Sequence, residues 1–225
     1  MRSLFKFLAI IATVLMSGSA FAQSAFEGAY GQAGIGYDKN SVKEAIGNDT
    51  GENVLVTSAS KGSVSGVIGF GYNFVAAKDY LIGVGADYGV VSSSRFDGTN
   101  VNATIGQKVS NRYNIFVAPA YVIDKDKLAY FKVGYSNQTV KSTVQGANSV
   151  VRDQTIGSGS AKGYVLGLGY KQIINNGFYG FAEANFYNYS GVSTSSQRLT
   201  NGAVITNYSP KSSAYQALIG AGYKF

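Results

Sequence analysis

The sequence predicts an all-β fold, an eight-stranded antiparallel up-and-down transmembrane β-barrel preceded by a cleavable signal peptide. Three observations carry this expectation. Residues 23–225 contain eight stretches of roughly ten residues in which apolar residues alternate with small or polar ones, the pattern of strands with one face in lipid. The links between the stretches alternate between short and long. Aromatic residues collect at both ends of the stretches, where a crossing strand meets the two interfaces.

Residues 1–22 stand apart from this pattern. Arg2 and Lys6 give a positive start, Phe7 to Met16 an apolar core, and Ala20-Phe21-Ala22 a small-residue cleavage pattern before Gln23. The apolar run is shorter than the ~20 residues of a membrane helix and lacks a basic stop-transfer flank. Residues 1–22 are therefore excluded from the fold, and 23–225 form one barrel domain, a size at which barrels remain undivided.

The eight stretches can be justified in order, since residues two apart on a strand share a face. The first, Phe26 to Tyr37, carries Gly34 and Gly36 on one face and ends on Tyr37. The second, Ser63 to Phe74, sets Ile68, Phe70, Tyr72 and Phe74 outward against Gly69 and Gly71 inward. In the third, Tyr80 to Val91, the outward set is Ile82, Val84, Ala86, Tyr88 and Val90, and the inward pair is Gly83 and Gly85. The fourth, Arg112 to Ile123, presents Ile115, Val117, Pro119 and Tyr121 to lipid. The fifth, Leu128 to Val140, places Tyr135 at its loop end. The sixth, Ala161 to Gln172, opposes Leu166, Leu168 and Tyr170 to Gly167 and Gly169. The seventh, Phe178 to Ser190, has Phe178 and Phe186 near its two ends. The eighth, Ser213 to Phe225, carries Tyr215, Tyr223 and Phe225 outward and Gly220 and Gly222 inward.

Short links fall at Val75 to Asp79, Asp124 to Lys127 and Ile173 to Gly177; long polar links fall at Asp38 to Gly62, Ser92 to Asn111, Lys141 to Ser160 and Gly191 to Ser212. In an outer-membrane barrel the short turns face the periplasm and the long loops face outward, so an even strand number puts both termini in the periplasm. One aromatic girdle is expected from Tyr37, Tyr88, Tyr113, Tyr135, Tyr164, Phe186 and Tyr215 at the loop ends. The other comprises Tyr72, Phe74, Tyr80, Tyr121, Tyr170, Phe178, Tyr223 and Phe225 at the turn ends. The paired inward glycines suit an eight-stranded barrel, whose interior is only wide enough to be filled by side chains.

Composition narrows the chemistry. The chain has 29 Gly, 17 Tyr and 13 Phe but no Trp, Cys or His. Without disulfides, a closed ring that leaves no unpaired edge supplies the stability. Without histidine or cysteine, a Ser-His-Asp or Cys-His site cannot be assembled, and zinc loses its preferred ligands. No enzyme, cofactor or metal is expected. The Gly-x-Gly pairs do not complete G-x-G-x-x-G and do not open a helix, so they read as packing glycines. The formal charge is +7, falling to +5 once Arg2 and Lys6 leave with the signal peptide. That balance favours contact with anionic outer-membrane lipids or lipopolysaccharide, but the charges form no run along the sequence. No aromatic-interleaved basic patch points to nucleic acid.

By parity the lumen receives Asp87, Arg112, Lys132, Glu183, Asn73, Asn185 and Gln216. Asp87 and Glu183 admit an acid-base reading, but charges taken from water need partners, so a polar plug around Lys132 and Arg112 is preferred. Tyr187, Tyr189 and Tyr208 are read as girdle and loop packing rather than as an adhesive surface. The acids Asp38, Glu44, Asp49 and Glu52 lack calcium-loop spacing and are read as solvated loop charges.

The opening stretch Tyr30-Gly31-Gln32-Ala33-Gly34-Ile35-Gly36-Tyr37 resembles the first strand of OmpA-like and opacity-protein-like outer-membrane barrels. The end Ala221-Gly222-Tyr223-Lys224-Phe225 is similar to their closing strand. The resemblance implies that Tyr223 and the final Phe225 are the signal read by the barrel-assembly machinery. No peptidoglycan-binding domain is expected after Phe225, so the resemblance does not imply cell-wall anchoring. What the resemblance implies is a single-domain barrel tied to envelope integrity, adhesion or host contact through four loops. A narrow pore or transporter for small or apolar solutes is the alternative.

Overall fold

The computed structural model describes residues 24–42, 45–49, 52–56, 59–91, 95–100, 103–146, 154–191, 197–198, 204–206 and 211–225. The signal peptide expected at 1–22, and Glu44 and Tyr208, lie outside the described residues. The fold is an eight-stranded antiparallel barrel. Its strands are β1 (Gly28–Val42), β2 (Ala59–Ala77), β3 (Tyr80–Val91), β4 (Ala103–Asp124), β5 (Lys127–Gly146), β6 (Gln154–Asn175), β7 (Phe178–Tyr189) and β8 (Ser212–Lys224). Each pairs with its sequence neighbours, and β1 closes on β8 from Tyr30↔Lys224 to Val42↔Ser212.

The three short connections are tighter than the sequence suggests, at Lys78-Asp79, Lys125-Asp126 and Asn176-Gly177. Asn176 and Gly177 have φ of 43° and 84°, the two left-handed residues of a hairpin turn whose twist matches its strands. At the middle turn, the Lys125 backbone N–H donates to Asp124 Oδ1 at 2.8 Å. With Lys127 nearby, this holds the Asp124 carboxyl below its ordinary value.

The structure differs from the sequence reading in three respects. Phe26 is not in the first strand: Gly28, at φ 111°, turns the chain, and the Phe26 side chain tucks into the turn end of the lumen, 2 % exposed. Strands β4, β5 and β6 also run well past the apolar band, to Ala103, Gly146 and Gln154. Finally, the long links carry β-structure of their own. Arg95–Asn100 pairs with the start of β4. Ala45–Asp49 forms a hairpin with Glu52–Val56 and also pairs with Val204–Thr206, which in turn pairs with Gln197–Arg198. Strands outside lipid need no apolar face, so hydropathy alternation does not detect them.

The outward side chains form the apolar band. Ile35, Phe70, Leu168 and Ile219 are all more than 60 % exposed. The predicted aromatics flank it at both ends and touch across strands: Tyr113 with Tyr135 and Phe186 with Tyr215 at the loop end, Tyr80 with Tyr121 and Phe178 with Tyr223 at the turn end.

Inside, glycines make room for rings from the neighbouring strand. Tyr30 lies opposite Gly71, Phe116 opposite Gly85, Tyr130 opposite Gly169, Tyr179 opposite Gly222 and Phe181 opposite Gly220. A Cβ at Gly85 would meet Phe116 Cζ at 2.7 Å, and one at Gly169 would overlap the Tyr130 ring. Gly180 differs, because a Cβ there meets nothing nearer than Ile174 Cδ1 at 3.7 Å. Gly169→Ala is therefore expected to destabilise the barrel by about 1–3 kcal/mol, while Gly180→Ala stays within roughly 0.5 kcal/mol of the parent. Urea unfolding in detergent micelles measures both, and equal effects would contradict the ring-on-glycine packing.

Candidate functional site

The candidate site is the lumen, where the buried charged side chains among the described residues collect. At its centre, Lys132 on β5 meets Asp87 on β3 and Glu183 on β7. Its ammonium donates to Asp87 Oδ2 at 3.0 Å and Glu183 Oε1 at 2.6 Å. Tyr130 Oη donates to Glu183 Oε2 at 2.5 Å, Asn185 Nδ2 to Glu183 Oε1 at 2.7 Å, and Asn114 Nδ2 to Asp87 Oδ1. Lys132 Nζ also lies 4.4 Å from the Phe116 ring centroid. All three charged groups are buried. Desolvation opposes each charge singly, and the ion pairs and donors around the carboxylates offset it.

Arg112 belongs to a second layer nearer the loops, and does not meet Asp87 or Glu183. It donates to Asp38 Oδ2 at 2.7 Å, Asn40 Oδ1 at 2.8 Å and Gln138 Oε1 at 3.1 and 3.2 Å. Its guanidinium stacks 4.4 Å from the Tyr187 centroid. A bulge aims it: β4 loses register with β5 between Ser110 and Tyr113, with Asn111 at φ 52°. Such an extra residue re-aims the side chains that follow.

Two readings of the sequence are corrected here. Asp38 is not a solvated loop charge but the buried partner of Arg112, 1 % exposed. Tyr187 and Tyr189 are not girdle residues. They are buried in the lumen, their rings parallel at 6.1 Å, and Tyr189 Oη is 2.7 Å from Ser136 Oγ. Both corrections follow from parity: Asp38 continues the inward face of Gly34 and Gly36, and the two tyrosines continue that of Glu183 and Asn185. The side chains of Asp49 and Glu52 lie outside the described residues.

Gln216 on β8 couples the layers. Its carbonyl accepts from Tyr187 Oη at 2.9 Å and Asn185 Nδ2 at 3.2 Å, and its amide donates to Ser65 Oγ at 3.4 Å. Toward the turns lies a residue that the sequence reading missed. Lys171, on the inward parity of Gly167 and Gly169, sits 3.7 Å from the centroid of Tyr30 and 4.9 and 5.4 Å from those of Tyr179 and Tyr130. Among the described residues it has no carboxylate at ion-pair distance; ring quadrupoles hold the cation instead. Below it Phe26, Leu81, Phe116, Ala118, Ala120 and Leu128 pack into an apolar layer, and Asn73 Nδ2 donates to the Phe26 carbonyl at 2.8 Å. Tyr223 and Phe225 stand outside the lumen, their rings 5.2 Å apart at the turn end.

No family model matches the chain, and no curated protein sequence matches it. Solved structures do. The outer membrane protein OprG from Pseudomonas aeruginosa aligns with a TM-score of 0.54 at 13% identity, covering 90% of this chain and 98% of that one. The outer membrane protease OmpT from Escherichia coli aligns at 0.50 and 10% identity, over 92% and 100% of the two chains. Ail, the attachment invasion locus protein of Yersinia pestis, aligns at 0.46 and 16% identity, over 88% and 99%. At these identities the likeness concerns the fold.

The two buried lysines should respond differently to substitution. Lys132→Met leaves Asp87 and Glu183 without their cation and is expected to cost about 3–5 kcal/mol. Adding Asp87→Asn and Glu183→Gln should recover most of that loss. Lys171→Met leaves no carboxylate unpaired at ion-pair distance and is expected to be near neutral or stabilising. Unfolding midpoints in detergent test the series; equal losses for the two lysines would contradict these assignments.

Proposed function

We propose that this protein is an outer-membrane β-barrel that serves as a structural and surface-interaction scaffold, with its lumen closed by side chains and its four loops turned outward. The observation that carries the reading is the filled lumen. From the Tyr187 and Tyr189 pair, through the Arg112 and Lys132 networks, to the apolar layer around Phe26, inward groups contact one another across the barrel.

The exposed apolar band between two aromatic girdles supports a membrane location, since a surface of this kind is solvated by hydrocarbon rather than water. The sorting of short turns and long links supports an orientation with the termini in the periplasm. Tyr223 and Phe225, exposed at the end of the closing strand, are available to the barrel-assembly machinery. The buried carboxylates are engaged by Lys132, Tyr130, Asn114 and Asn185, which supports a non-enzymatic role.

The loop side supports surface interaction with a host or surface ligand. Strands β4 and β5 stay paired from Tyr113↔Asn137 out to Ala103↔Gly146. Those ten residues of β4 measure about 34 Å along the strand. At a tilt near 40° this carries the ends of the two strands roughly 25 Å beyond the loop-end girdle.

Conductance in planar bilayers tests the closed lumen. The wild-type protein is expected to give no steady open state, and Lys132→Met with Glu183→Gln to raise the frequency of brief openings. A steady wild-type conductance would replace the scaffold with a narrow pore for small solutes. Surface interaction is tested by whole-cell binding with each long link shortened in turn, which is expected to abolish adhesion for at least one link while heat-modifiable folding persists.

A further inference from the structure

Six lysines scattered along the sequence meet at the loop end of the barrel. Among residues with described side chains, the exposed charges at and beyond the loop-end girdle are all basic: Lys39, Lys61, Lys108, Lys141, Lys162 and Lys211. The acid there, Asp38, is buried against Arg112. The turn end has no such bias, since Asp79, Asp124 and Asp126 alternate with Lys78, Lys125 and Lys127.

Within the basic set, Lys108 on β4 and Lys141 on β5 are direct cross-strand partners. The adjacent pair, Val109 and Val140, turns inward: Val109 is buried, and Val140 packs on Ala161, Val165 and the lumen tyrosines. Both lysines therefore project outward from the wall. Arg95 takes the next register position beyond Lys108, so three basic residues occupy one cross-strand row, with Asp97 placed opposite Gly106. Lys162 projects outward from β6, opposite Asn137 and two residues beyond Tyr164. Among the described residues, Lys108, Lys141 and Lys162 have no carboxylate within ion-pair distance. Like charges directly opposite one another destabilise a sheet, so the Lys108–Lys141 pair is unfavourable until an anion stands against it.

The geometry specifies that anion. The lysines point sideways, into the layer where neighbouring lipid headgroups stand, and not upward from the connecting segments. Lys162 lies about 7 Å along its strand beyond Tyr164, and Lys141 about 20 Å beyond Tyr135, or roughly 15 Å above the girdle at a 40° tilt. A phospholipid carries its phosphate near the interface, within reach of the lower level only. A phosphorylated oligosaccharide headgroup presents anions at both levels. We propose that the outward face of β4, β5 and β6 is a docking surface for the phosphorylated saccharide headgroup of an outer-leaflet lipid of the lipopolysaccharide class. This rests on the outer-membrane reading above.

The test uses the full barrel, refolded in detergent, with purified rough lipopolysaccharide, its dephosphorylated form, phosphatidylglycerol and heparin as separate probes. Wild type is expected to bind the phosphorylated lipopolysaccharide at least about tenfold more tightly than the dephosphorylated form, with affinity falling as salt rises. Lys108→Gln/Lys141→Gln/Lys162→Gln is expected to lose that preference while its unfolding midpoint stays at or above the parent value, because the repulsion is gone. Lys78→Gln/Lys125→Gln at the turn end should bind as wild type does. Equal binding by the triple variant, or equal binding of both lipopolysaccharide forms, overturns the proposal. Heparin binding with the same lysine dependence but no lipopolysaccharide binding replaces the lipid with a soluble polyanion and also overturns it. Membrane fractionation separates the premises: a protein missing from the outer membrane defeats the location, whatever the binding arms report.

Discussion

Closure of the ring is the constraint on which the rest depends. A strand exposed to lipid has no water to satisfy its backbone N–H and C=O groups, so β1 must find β8, and the ladder from Tyr30 to Val42 does this without a break. Closing with eight strands fixes the radius, and the radius leaves an interior that side chains must fill. Large rings fit only where the facing strand has no side chain, which explains why Tyr30, Phe116, Tyr130, Tyr179 and Phe181 each stand across from a glycine.

Narrowness also governs the charges. Three strands contribute Lys132, Asp87 and Glu183 to one point, while Arg112 finds Asp38 and Asn40 across the barrel on β1. Each contact joins strands that are not neighbours in the ring, so the network braces the ring through its interior while the ladders brace it around its circumference. Lys171 stands apart from both networks, facing the rings of Tyr30, Tyr130 and Tyr179.

Parity made most of this legible in the sequence. Alternation located all eight strands, the outward apolar sets and the inward glycines, because a period of two is imposed by the backbone itself. Asp87, Lys132 and Glu183 were readable as lumen residues for the same reason. Which charges meet was not readable, since it depends on the shear between strands, and Arg112 finds Asp38 rather than the central carboxylates. Asp38, Tyr187 and Tyr189 were misassigned where parity yielded to proximity to a loop. Structure beyond the membrane was invisible, because strands wetted on both faces carry no alternation.

The ladder between Ala45–Asp49 and Val204–Thr206 joins the segment after β1 to the segment before β8. A free loop can gain or lose residues without consequence for its neighbours, whereas a shared ladder ties the length of one segment to the register of the other. The first and last long links therefore form one structural unit. A change of length in either link therefore reaches the strand pairing of the other.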